Sequence, residues 1–124
     1  MNANDMSVSK LKWFTFRQNN SGGLFTIDDT VDVNVIIQAN CADEANELAQ
    51  RVGIYFNGVD EGYDCECCGD RWYKVWDSVG TDEPEIYGQR VSWSSDSVVT
   101  CEGNSKYGLL GVVNVYPYNI ISKK

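Results

Sequence analysis

Val31-Asp32-Val33-Asn34-Val35-Ile36-Ile37-Gln38-Ala39-Asn40-Cys41-Ala42-Asp43-Glu44-Ala45-Asn46-Glu47-Leu48-Ala49-Gln50-Arg51-Val52-Gly53 changes its hydrophobic period partway along. Val31, Val33 and Val35 alternate with Asp32 and Asn34 before the apolar pair Ile36-Ile37, a period of two that predicts a strand over residues 31–39. From Ala42 the period lengthens: Ala45, Leu48, Ala49 and Val52 recur at i, i+3, i+4 and i+7. The chain therefore turns from strand into an amphipathic helix over about 42–52. Asn40 is the expected N-cap, Asp43 and Glu44 lie where the helix dipole favours carboxylates, and Gly53 ends the helix. Asn46, Glu47, Gln50 and Arg51 are expected to face out.

Strand signals surround this unit. Upstream, Leu11, Trp13, Thr15 and Arg17 alternate with Lys12, Phe14, Phe16 and Gln18, with aromatics on both faces, so neither face reads as solvent. Asn19-Asn20-Ser21-Gly22-Gly23 reads as a turn, and Leu24, Phe25 and Ile27 begin a second extended piece. Downstream, 54–56 is a short strand candidate, 57–70 an irregular loop and 72–76 an aromatic strand. Further strands are expected near 86–93, 98–102 and 109–118, with Asn104 and Ser105 as hairpin residues between the last two. Together these elements predict one α+β domain over 10–124, a mainly antiparallel sheet with the principal helix packed on one face, behind a frayed tail at 1–9.

Eighteen acidic against ten basic side chains leave a formal charge of -8, and the acids are spread from Asp5 to Glu102. This balance disfavours binding to a nucleic-acid polymer or to anionic lipid, and it suits a basic protein partner. No apolar run approaches a signal peptide or a membrane span. With export disfavoured, five cysteines read as reduced thiols. Histidine is absent, which removes the usual general base, the Ser-His and Cys-His pairs, and any mixed Cys/His zinc site.

The densest chemistry lies in Asp64-Cys65-Glu66-Cys67-Cys68-Gly69-Asp70-Arg71-Trp72. Cys65 and Cys68 followed by Gly69 have the spacing of half a zinc knuckle. Completion of a four-thiolate site would need Cys41 and Cys101, with Cys67 set aside because vicinal thiolates share one ion poorly. A redox pair is disfavoured, since flanking Asp64, Glu66 and Asp70 are expected to raise the thiol pKa. Asp60, Glu61, Asp64 and Glu66 lack the ligand order of an EF-hand, no carboxylate pair is singled out for hydrolysis, and no Walker loop is present. No enzyme signature emerges. Arg17 among Trp13, Phe14 and Phe16, Arg71 before Trp72 and Tyr73, and Arg90 before Trp93 give the materials of a pocket for a small nucleotide.

Two segments carry a resemblance: Phe14-Thr15-Phe16-Arg17-Gln18-Asn19-Asn20-Ser21-Gly22-Gly23, and Gly53-Ile54-Tyr55-Phe56-Asn57-Gly58 leading to the stretch from Cys65 to Trp72. Together they resemble a family of small uncharacterised proteins encoded by tailed bacteriophages, over about the first two thirds of the chain. The resemblance implies action in the cytoplasm of an infected bacterium and transfers no catalytic residue. The expected function is non-enzymatic binding to a host protein, as an inhibitor of defence or an agent of host takeover, with sequestration of a nucleotide signal or a zinc-stabilised four-cysteine module as alternatives. Arg17, Asn19, Asn20, Asp60, Glu61, Asp64, Asp70, Arg71 and Trp72 are the expected binding residues, and Cys41, Cys65, Cys68 and Cys101 the expected metal ligands.

Overall fold

The apolar run Val35-Ile36-Ile37 is fully buried on both sides, as a strand covered on both faces must be. It lies in β2 (Asn34–Ala39), the middle strand of a three-stranded sheet. On one side β1 (Lys12–Arg17) pairs with it antiparallel, Phe14 opposite Ile37 and Phe16 opposite Val35. On the other side β6 (Val113–Tyr116) pairs with it in parallel, Ile36 opposite Val115. The computed structural model describes residues 11–20, 23, 25–28, 30–86, 89–93, 99–101 and 113–121. The expected tail at 1–9 and the hairpin residues Asn104 and Ser105 lie outside them.

One face of this sheet carries Phe14, Phe16, Val35, Ile37 and Ala39 against α1 (Ala42–Arg51), whose Ala45, Leu48 and Ala49 are buried. The opposite face carries Trp13, Ile36 and Val115, and Ile86 and Val91 close over them. Those two residues belong to a second sheet of β3 (Glu85–Ile86), β4 (Gln89–Trp93) and β5 (Val99–Cys101), all antiparallel. Thr15 Oγ1 donates to the Glu85 carbonyl at 2.7 Å, joining the two sheets. The fold is therefore a small α+β domain with one principal helix on one sheet face, as the periodicity predicts. A short helix α2 (Tyr118–Ile121) follows β6.

Several local expectations are corrected. The strand begins at Asn34 rather than Val31, because Asp28 Oδ1 accepts from the Thr30 and Val31 amides and draws that stretch into a turn. Those same amides hold the Asp28 carboxyl below its ordinary pKa. The helix N-cap is Cys41, not Asn40, and its side chain makes no capping bond. Asn40 instead donates to Glu44 Oε1, while Asp77 Oδ1, from a 3₁₀ turn at Asp77–Val79, accepts from the Ala42 amide at 2.7 Å. At the other end the Gly53 amide reaches Gln50 O and the Ile54 amide reaches Ala49 O, a Schellman closure with Gly53 at φ 112°. β6 pairs with β2 in parallel, the one departure from the expected antiparallel pattern among the described residues, while the expected hairpin between the last two strands turns on residues outside them.

The pieces at 25–27, 54–56 and 72–76 join no ladder among the described residues. In two of them a side-chain amide takes the place of a neighbouring strand. Gln18 donates through Nε2 to Thr26 O and accepts from Thr26 N at Oε1. Asn46, expected to face out, is buried, donating to Val75 O at 3.2 Å and accepting from Val75 N at 2.9 Å. Pinned in this way, Trp72 and Val75 enter the main core.

Candidate functional site

The end of β1 and the cysteine loop are tied together by side chains that the two motifs supply. Asp64 is the hub: its side chain is 0% exposed, Oδ1 accepts from Tyr55 Oη at 2.6 Å, and Oδ2 accepts from the Arg71 amide at 2.8 Å. The Arg71 side chain, 12% exposed, sets its guanidinium 3.7 Å from Asp64 Oδ1, donating through Nε to Tyr55 Oη at 3.2 Å and through a terminal nitrogen to Gln18 Oε1 at 2.8 Å. Burial and the bond to Asp64 push the Tyr55 phenol above its ordinary pKa. Gly58 makes this packing feasible, since a Cβ there would fall on the Asp64 carboxylate and within 2.8 Å of Tyr55 Cε2.

Asn19 closes the loop from the other side. Its Nδ2 donates to Cys68 O at 2.9 Å and Asp70 O at 3.0 Å, and its backbone amide donates to Arg71 O at 2.8 Å. The Asp70 carboxylate accepts from the Val59 amide at 2.9 Å. Between these anchors the Cys68 and Gly69 amides both reach Cys65 O, a tight turn with Gly69 at φ 89°. A side chain at Gly69 would be strained, and its Cβ would stand 3.0 Å from Tyr73 Oη.

The turn gathers three thiols. Cys65, Cys67 and Cys68 place all their sulfurs within 4.8 Å of one another, with Cys65 Sγ to Cys67 Sγ at 2.9 Å and Cys67 Sγ to Cys68 Sγ at 4.0 Å. Cys67, set aside in the four-thiolate expectation, is thus central to the cluster. Cys41 is exposed at the start of α1 and is not in this group, and the Cys101 side chain lies outside the described residues. The flanking carboxylates are expected to raise the thiol pKa, yet Cys65 is lowered to about 7. The Cys67 thiol donates to it first, with further bonds from the Cys67 and Cys68 amides. The same contact pushes Cys67 up to about 11. Hydrogen bonds within the turn, rather than the flanking Asp64, Glu66 and Asp70, set the Cys65 thiol.

Of the expected binding residues, Asp64, Asp70 and Arg71 are structural anchors and Trp72 is a core residue at 1% exposure. Asp60 and Glu61 stand exposed in a turn braced by bonds from the Glu61 amide to Asn57 O and the Gly62 amide to Val59 O. Tyr63, 70% exposed, follows them and packs edge-on against Tyr55 at 5.5 Å. Arg17, Asn19 and Asn20 line a cleft of about 570 Å³ with Gln18, Phe25 and Tyr73. Tyr73, one of the expected ring faces, lines that cleft, whereas Gln18, Tyr55 and Gly58 carry no expected role. Their only signal is membership of the two motif segments or their flanks, since the residue types themselves announce no chemistry.

Among the described residues no helix is long and apolar enough to cross a membrane. No curated protein and no solved structure matches the chain. A family match over residues 11–111 takes in both motifs and the whole cysteine loop, and continues well beyond Asp77, past the reach of the motif resemblance. The chain belongs to the uncharacterised family described as a domain of unknown function (DUF7296).

Proposed function

We propose that this is a small acidic phage accessory protein that acts without catalysis, binding a host protein in the cytoplasm of the infected bacterium. The observation that carries the reading is the braced turn bearing Asp60, Glu61 and the 70% exposed Tyr63. An exposed tyrosine beside two carboxylates on a stiff turn is the composition of a protein-binding epitope: the ring supplies contact area at low entropic cost and the acids steer a basic partner. The Asp64 to Arg71 network behind the turn preorganises it, which lowers the ordering cost of association. The bacteriophage context rests on the resemblance of the two motif segments. In the test, tagged protein captures partners from infected cells, and the same capture is repeated with Asp60→Lys/Glu61→Lys and with Tyr63→Ser. The binding face is elsewhere if folded variants retain every partner, at low and at high salt alike.

A second reading is favoured by the cleft. Arg17, Asn19 and Asn20 offer polar contacts and Phe25 and Tyr73 offer ring faces around about 570 Å³, within the range of small-molecule sites. A mononucleotide signal fits that chemistry, with Arg71 removed from the role because its guanidinium serves the internal network. Thermal shifts across a nucleotide panel test it. Stabilisation lost in Arg17→Ala supports sequestration, and an unmoved melting temperature with all nucleotides dismisses it.

A further inference from the structure

We propose that Cys65, Cys67 and Cys68 form a three-thiolate site for a thiophilic d¹⁰ cation, zinc(II) in the first instance, with the remaining coordination position open to solvent. The donor set argues for the class of ion. It is all sulfur, the chain contains no histidine, and among the described residues no carboxylate joins the group, so oxygen-seeking magnesium and calcium have nothing to bind. Asp64 and Asp70 flank the thiols in sequence, but their oxygens hold Tyr55 Oη and the Arg71 and Val59 amides.

The geometry argues for a single ion. A Zn–S bond of about 2.3 Å in tetrahedral coordination puts sulfurs roughly 3.8 Å apart. Cys67 and Cys68 already stand at 4.0 Å, and the 2.9 Å contact of Cys65 with Cys67 has to widen by about 0.9 Å to match. Binding forms three metal–sulfur bonds and releases to solvent whatever protons the three thiols still carry. Cys67 and Cys68 are exposed, so the ion enters without opening the core, and the open position takes water or a donor from another molecule. Loop placement does not depend on the ion: Asn19 holds Cys68 O and Asp70 O, and the Gly69 turn is closed on Cys65 O. The site is therefore preorganised, unlike a zinc finger that folds only around its metal.

The experiment uses the full chain, reduced and then stripped with chelator, titrated with zinc and with cobalt(II), whose sulfur charge-transfer absorption reports thiolate ligation. One equivalent of ion per chain is expected. Each of Cys65→Ser, Cys67→Ser and Cys68→Ser should weaken binding at least about tenfold, because even groups that only orient a ligand cost that much. Cys41→Ser and Cys101→Ser should leave it within about twofold, the ordinary scatter of remote substitutions. Should a serine variant fail to fold, alkylation of the unaltered protein decides: zinc should protect Cys65, Cys67 and Cys68 and leave Cys41 reactive. Stoichiometry below about a tenth of an equivalent overturns the site. So does binding that is lost in Cys41→Ser or Cys101→Ser but retained in Cys67→Ser, which is the four-cysteine arrangement.

Discussion

Replacing Asp64 by asparagine keeps the volume of the hub and removes its charge, so it isolates the electrostatic role of the network. The carboxylate accepts from Tyr55 Oη at 2.6 Å and the Arg71 amide at 2.8 Å, and no solvent-accessible surface remains on it. An asparagine oxygen can keep the Arg71 amide, but its NH₂ then meets Tyr55 Oη, which already accepts from Arg71 Nε and loses its own donor bond to the carboxylate. A charge-assisted bond worth about 1.5–3 kcal/mol is lost, and the Arg71 guanidinium loses the Asp64 carboxylate from beside it. Removal of one partner of a buried pair typically costs about 3–5 kcal/mol. Arg71 keeps Gln18 Oε1 and some solvent contact, which places the expected loss near the lower end, about 3 kcal/mol. For a domain of this size that corresponds to a fall of roughly 10–15 °C in Tm. Urea unfolding followed by tryptophan fluorescence, to which buried Trp72 contributes, measures it, with an unchanged m-value as the control. Adding Arg71→Met should recover part of the loss, a coupling of at least about 1 kcal/mol between the two positions. A loss under about 1 kcal/mol, or strict additivity in the double variant, would refute the account of Asp64 as a charged hub.

Three further outcomes follow from the same structure. Asn46→Ala leaves the buried Val75 amide and carbonyl without partners and should cost about 2–4 kcal/mol in unfolding free energy, whereas exposed Glu47→Ala should stay within about 0.5 kcal/mol. Gly58→Ala drives a methyl into the Asp64 carboxylate and should cost about 3 kcal/mol by overpacking and lost hydrogen bonds, with faster alkylation of the three loop thiols as its local signature. In metal-free protein, Cys65 alkylation should rise with increasing pH through about 7, since a lowered pKa means that the thiolate is already populated near neutrality. Cys67→Ala removes the main donor and should move that midpoint up towards the ordinary 9.0; a midpoint near 9.0 in the unaltered protein would contradict the thiol–thiol hydrogen bond.

The strand and helix at the centre of the fold are local matters, and the sequence carries them. A change of period from two to 3.6 between Val35 and Leu48 states which faces must be buried, and aromatics on both sides of β1 announce that its sheet is covered twice. Extended pieces without a ladder mimic strands for one reason. Val75 and Thr26 look like strand residues, but their backbone partners are the side-chain amides of Asn46 and Gln18, which lie 29 and 8 residues away in the chain. A polar residue on a helix has the same sequence signature whether it faces water or grips a distant backbone.

The cysteine loop divides along the same line. Its composition, its tight Gly69 turn and the absence of histidine follow from the sequence alone, and these exclude imidazole from any metal site built on the thiols. Which cysteines meet is beyond the spacing, because two residues adjacent in sequence converge with a third only if the backbone between them is folded back and held. Asn19 and the buried Asp64 to Arg71 pair impose that fold from opposite sides, and they turn Cys67 from a residue to be set aside into the one that touches both of the others. Local periodicity is encoded by neighbours along the chain, whereas a thiol cluster, a buried ion pair and a lowered thiol pKa exist only once tertiary contacts hold distant groups together.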